Sequence, residues 1–126
     1  MTAHSKQVLL AEDDQTEKEL LYDLLKELCP DIRMYAARTG TELIRIGLEL
    51  KERLDVIVLK HILRQQEVTD ILKKLNEDHH IRTIPKAVWG KQVDQWYIDH
   101  LIEAGASGYF IRPDGVADKK RVLKDI

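Results

Sequence analysis

A chain of 126 residues, 44% hydrophobic and 33% charged, is sized for one domain that buries roughly two thirds of its unfolded surface without staples. A formal net charge of -2 gives no excess that would attract nucleic acid or an anionic membrane, so partners have to be argued from a site or a patch. The single cysteine, Cys29, excludes an internal disulfide framework, and its place before Pro30 marks a helix end. The opening MTAHSKQ has no apolar h-region and no apolar run approaches the roughly 18 residues of a membrane span, so a soluble, cytoplasmic protein is expected.

Val8 to Ala11 is a short apolar run followed at once by Glu12, Asp13 and Asp14, which reads as a buried strand ending in acids. Asp14 is placed to cap a helix whose third residue is Glu17. Leu20, Leu21, Leu24, Leu25 and Leu28 then recur at helical spacing until Pro30. Ile32, Met34 and Ala36 alternate with Arg33 and Tyr35 as in a second strand nearer an edge. After Thr39-Gly40, the positions Leu43, Ile44, Gly47 and Leu48 predict a second amphipathic helix to about Leu50. Leu54 to Lys60 (LDVIVLK) has the unbroken apolar run of a central strand buried on both faces, and it stops at a lysine.

From Val68, the positions Ile71, Leu72 and Leu75 predict a third helix, followed by a polar connection from Asn76 to Arg82. Lys86 to Trp89, closed by Gly90, is a fourth strand. Val93, Tyr97, Ile98, Leu101 and Ala104 form a helical stripe ended by Gly105, where a left-handed cap fits. Gly108 to Ile111 is a fifth strand stopped by Pro113, and Val122, Leu123 and Ile126 belong to a last helix starting near Ala117. Five strands alternating with five helices require a parallel sheet covered on both faces, a single domain over residues 1–126 with its core from about residue 6. The carboxyl ends of such strands share one edge, so Glu12, Asp13, Asp14, Lys60, Gly90 and Arg112 should converge there.

LLAEDD at the first strand, IP before the fourth and GASGYFIRP across the fifth resemble the response-regulator receiver domain of two-component (phosphorelay) signalling, typified by CheY. The resemblance runs over nearly the whole chain. It implies a flavodoxin-like, doubly wound sheet of order 2-1-3-4-5, a magnesium ion held by acids of the first strand, and a phospho-acceptor aspartate ending the third. Glu12 and Asp13 match the acidic pair and Tyr109 the aromatic switch residue, while Lys60 stands at the acceptor position. Gly90 replaces the usual Thr or Ser, and Arg112 the usual lysine. The loop HILRQQEV after Lys60 lacks the proline and glycine typical of the family.

Lysine has no carboxylate to accept a phosphoryl group, and relative to an aspartate it removes two units of attraction for a divalent cation. Lys60 is expected to pair with Asp13 or Glu12, leaving magnesium binding at Glu12 and Asp13 weak or absent. A catalytic lysine is disfavoured because neighbouring carboxylates stabilise the charged form. The histidines, His4, His61, His79, His80 and His100, show no zinc-like spacing. Trp96 lies about 140° from the centre of its helix's apolar stripe and is a candidate partner surface.

The leading expectation is an atypical receiver that is not an enzyme. It would bind a histidine kinase, phosphotransfer protein or downstream target independently of phosphorylation. Two alternatives stay open: a small-anion or enzymatic pocket using Lys60 and Arg112, and a receiver phosphorylated at Asp13 or Asp14.

Overall fold

The structure is a computed structural model that describes residues 6–64, 66–113 and 115–125. In chain order the elements are β1 (Gln7–Ala11), α1 (Gln15–Leu28), β2 (Arg33–Ala37), α2 (Gly40–Leu50), β3 (Val56–Lys60), β4 (Ile62–Leu63), β5 (Gln66–Glu67), α3 (Val68–Leu75), α4 (His79–Thr83), β6 (Lys86–Gly90), α5 (Gln95–Glu103), β7 (Gly108–Ile111) and α6 (Val116–Asp125). Five strands form one parallel sheet of order β2-β1-β3-β6-β7, which is the expected 2-1-3-4-5 when only the sheet strands are counted.

The two-residue period of a strand divides the core. Val8, Leu10, Val56 and Val58 face Leu21 and Leu24 of α1 and Leu123 of α6. Leu9, Ile57, Leu59 and Val88 face Leu43, Ile71, Leu72, Leu75 and Leu101 of α2, α3 and α5. Both faces are dry, which is why the central runs are unbroken in apolar character.

The helix ends follow local chemistry. The Asp14 side chain accepts the Glu17 amide at 3.0 Å, and Thr39 accepts that of Glu42 at 3.1 Å. After α5, Gly105 has φ +118°, and the Ala106 and Gly105 amides donate to the carbonyls of Leu101 and Ile102 at 3.0 Å each. That is a Schellman closure. A side chain at Gly105 would also strike the Asn76 amide group, which donates to the Ala104 carbonyl.

Three details depart from the sequence reading. The central strand begins at Val56 rather than Leu54, because the Asp55 carboxylate turns to accept the Gln7 amide. The polar connection contains a sixth, one-turn helix, α4: Asp78 accepts the amides of His80 and Ile81, and Ile81 is buried. The segment after Lys60 folds into a small antiparallel ribbon, β4 with β5. His4 and Ile126 lie outside the described residues. Among the described residues, no helix is long and apolar enough to cross a membrane.

Lys86 closes the carboxyl end of α4 from inside the protein. It is 1% exposed, and its Nζ donates to the carbonyls of Ile81 and Ile84 at 2.7 Å each. Burial pulls its proton affinity down to about 8. A neutral amine still offers two N–H donors, so deprotonation keeps both bonds. The folded protein therefore sheds this proton near pH 8 while the unfolded chain holds it to about 10.5, and stability from this group rises with pH across that window. Relative to Lys86→Met, the wild type should gain about 2 kcal/mol between pH 8 and about pH 10 in denaturant unfolding. A pH-independent difference would contradict a lysine held in this way.

Candidate functional site at the carboxyl edge of the sheet

Glu12 follows β1 and is 1% exposed. Its Oε2 accepts the amides of Asp13 at 2.9 Å and Asp14 at 3.2 Å, and lies 3.1 Å from Lys60 Nζ. Lys60, the last residue of β3, also donates to Asp13 Oδ1 at 2.9 Å. Both acids of the pair therefore hold one ammonium. Burial pushes the Glu12 carboxyl up, against its amide donors and Lys60. Burial opposes ionisation of Asp13 as well, yet Lys60 and the Arg64 amide bring it down to about 2. Lys60 is raised despite its own burial, through these two carboxylates.

Asp13 also reaches the ribbon. Its Oδ2 accepts the Arg64 amide at 2.9 Å, and Arg64 sits at the tip between β4 and β5 with φ +52°. A positive φ is uncommon for a residue with a β-carbon, so the tight turn and its bond to Asp13 go together.

Gly90 ends β6 against the ring of His61. A β-carbon on Gly90 would lie 2.0 Å from His61 Nδ1, so the glycine is the space the imidazole occupies. Both ring nitrogens are buried, and among the described residues neither has a hydrogen-bond partner. Burial, with Lys91, Lys60 and Arg112 nearby, lowers its proton affinity, and Glu67 only partly opposes them. The neutral ring meets Tyr109 edge to face, centroids 6.4 Å apart, and the Tyr109 hydroxyl donates to the Lys91 carbonyl.

The remaining candidates divide. Arg112 lies beside Gly90 through its amide, 2.6 Å from the Gly90 carbonyl, but its guanidinium turns to Glu17 at 3.8 Å, where Lys119 also sits at 3.2 Å. It therefore joins a second charge cluster between α1 and α6 and does not face Lys60. Asp14 is exposed and spent on the α1 cap. Trp96 is 67% exposed on α5, its indole N–H donating to Asp94 at 3.3 Å and its ring edge to face with Tyr97. His61 and Arg64 were given no role from the sequence. The available signal was a glycine at the end of β6, where the loss of a side chain leaves room for a neighbour's.

No protein-family model matches the chain, and no curated protein matches it. Solved structures do. The phosphorylated cyanobacterial phytochrome response regulator RcpA superposes with a TM-score of 0.82 at 19% identity, over 96% of this chain and 90% of that one. Chemotaxis response regulator CheY4 of Vibrio cholerae gives 0.82 at 14%, over 96% and 98%. The manganese-bound form of response regulator Rcp1 gives 0.81 at 19%, over 96% and 91%. The fold is that of a response-regulator receiver domain.

The receiver fold brings with it the question of a divalent cation, and the donor set at this edge does not suit one. Magnesium demands near-octahedral oxygen ligation. Here Glu12 Oε2 and Asp13 Oδ1 both accept from Lys60, Asp13 Oδ2 is taken by a backbone amide, and the side chain at the end of β3 is a cation. Among the described residues, no group of three or more His, Cys, Asp or Glu is arranged to hold a metal.

The fit of His61 over Gly90 can be measured. Gly90→Ser should lower unfolding free energy by about 1–3 kcal/mol, the usual range for overpacking. In a His61→Ala background the same change should cost much less. Equal costs in the two backgrounds would show that the imidazole is not the obstacle.

Proposed function

We propose that this chain is a receiver-type signalling module of a two-component system that has exchanged phosphoryl chemistry for constitutive protein binding. The observation that carries this reading is Lys60 at the end of β3, its ammonium bonded to both Glu12 and Asp13. An amine cannot form the acyl phosphate that a carboxylate forms, and this one already neutralises the acids that a metal would need. Two further features support the reading. Gly90 offers no hydroxyl, and His61 fills the space beside it. In this account the module is not an enzyme and requires neither magnesium nor another cofactor.

The partner would be a histidine kinase, a phosphotransfer protein or a downstream target in the cytoplasm, met through the face around α5, β7 and α6. Trp96 stands there at the rim of a cleft of about 400 Å³ shared with His61, Ile62, Lys91 and Tyr97. Exposed tryptophans beside clefts are frequent anchors of protein interfaces. The alternative anion pocket has less support, since Lys60 and Arg112 each face carboxylates and point to different clusters. Phosphorylation of Asp13 or Asp14 is likewise disfavoured: both oxygens of Asp13 are engaged, and Asp14 caps α1.

The test is incubation with magnesium and acetyl phosphate, followed by intact mass. The wild type should gain no phosphoryl group, and a stable adduct on it would sink the proposal. Lys60→Asp should begin to bind magnesium, read from the fluorescence of Trp89, the residue in register with position 60. Indifference of this variant to magnesium would place the defect in the Arg64 turn rather than in the lysine charge.

A further inference from the structure

At the opposite, amino-terminal edge of the sheet the packing leaves a second feature. A cavity of about 270 Å³ lies between the last turn of α1, the starts of β1 and β3, and the end of α6. Its walls are Val8, Leu25, Ile32, Val56, Val58 and Leu123, with the Cys29 thiol at one side. This is nearly twice the roughly 150 Å³ of an apolar cavity that stays dry and binds benzene. Filling it with an apolar group would restore the dispersion contacts its lining lacks.

The lining is chemically lopsided. Lys6 and Lys124 are its charged members; both are exposed, and neither ammonium has a hydrogen bond or ion pair among the described residues. No acid is among the described lining residues. An apolar hole flanked by two cations that have no partner among the described residues is complementary to an amphiphile with an anionic head. A neutral hydrocarbon would leave the cations unused, and a bare anion would leave the hole empty.

We propose that this cavity binds a short-chain carboxylate, its hydrocarbon among the valines and leucines and its carboxylate between Lys6 and Lys124. Cys29 then lines the chain and is shielded when the site is filled. The site lies at the far end of the sheet from Lys60, so ligand here would reach the rest of the fold through the shared contacts of α1 and α6 with β1 and β3.

Octanoate is the probe. Added to the full chain, it should give saturable amide and methyl NMR shifts centred on Val8, Val56, Val58 and Leu123, and should slow alkylation of Cys29. Each methylene removed from the acid should weaken binding about fourfold. The exposed double variant Lys6→Gln, Lys124→Gln should weaken octanoate about tenfold and leave octanol unchanged. Absence of saturable shifts would overturn the proposal, as would shifts centred on the Trp96 cleft. Octanol binding as tightly as octanoate, with the double variant indifferent, would equally overturn it.

Discussion

The pairing of Glu12 with Lys60 is the interaction on which the carboxyl edge depends. A carboxylate withdrawn from water costs several kcal/mol, and Glu12 is almost wholly withdrawn. Two amides and an ammonium offset that cost. At about 4 Å and an effective dielectric near 20, such an ion pair gains roughly 4 kcal/mol, comparable with the penalty it answers. Without the ammonium, Glu12 would be a buried carboxylate held by two amides alone. Because Lys60 also binds Asp13, and Asp13 binds the Arg64 amide, one ammonium fixes β1, β3 and the ribbon turn against one another.

Lys86 solves the same problem at the other end of β6 without a counter-ion. Among the described residues it has two carbonyls and no carboxylate, and burial lowers its proton affinity where the acids raise that of Lys60. The half-buried Lys60 and the buried Lys86 therefore differ through their partners as well as through their depth. One is a permanent cation at the carboxyl edge. The other is a donor that tolerates losing its charge, and its work is to seal α4.

Much of the fold was readable because it rests on patterns that a linear chain displays. The apolar runs at Val8 and Val56, the leucine spacing of α1, the Asp14 cap and the Gly105 closure are all local, and the structure has each of them. Strand order required the resemblance to receivers as well as the alternation. The unreadable parts are set by contacts across the fold. The Glu12–Lys60 and Asp13–Lys60 contacts join residues almost fifty positions apart. Arg112 has the place of a pocket residue after β7, but its guanidinium lies 3.8 Å from Glu17 on α1. The ribbon depends on Asp13, 51 positions from the Arg64 amide it binds.

Gly90 shows most clearly what a sequence comparison leaves out. In the sequence it is only the glycine that closes a strand. In the fold it is one half of a fit, since the space a β-carbon would take holds the His61 ring. Three nearby cations and burial keep that ring neutral, so it acts there as packing and not as a charge. Tyr109 is then fixed from two sides, by the edge contact with His61 and by the bond from its hydroxyl to the Lys91 carbonyl. Any movement of the tyrosine toward Gly90 must first displace an imidazole whose polar atoms have no hydrogen-bond partner where they are. The carboxyl edge is thus filled from within twice over, by an ammonium among the acids and by a ring beside the glycine. An aspartate at position 60 would remove the ammonium and leave the His61 ring in place, which makes the charge at position 60 and the packing beside Gly90 separable properties of one site.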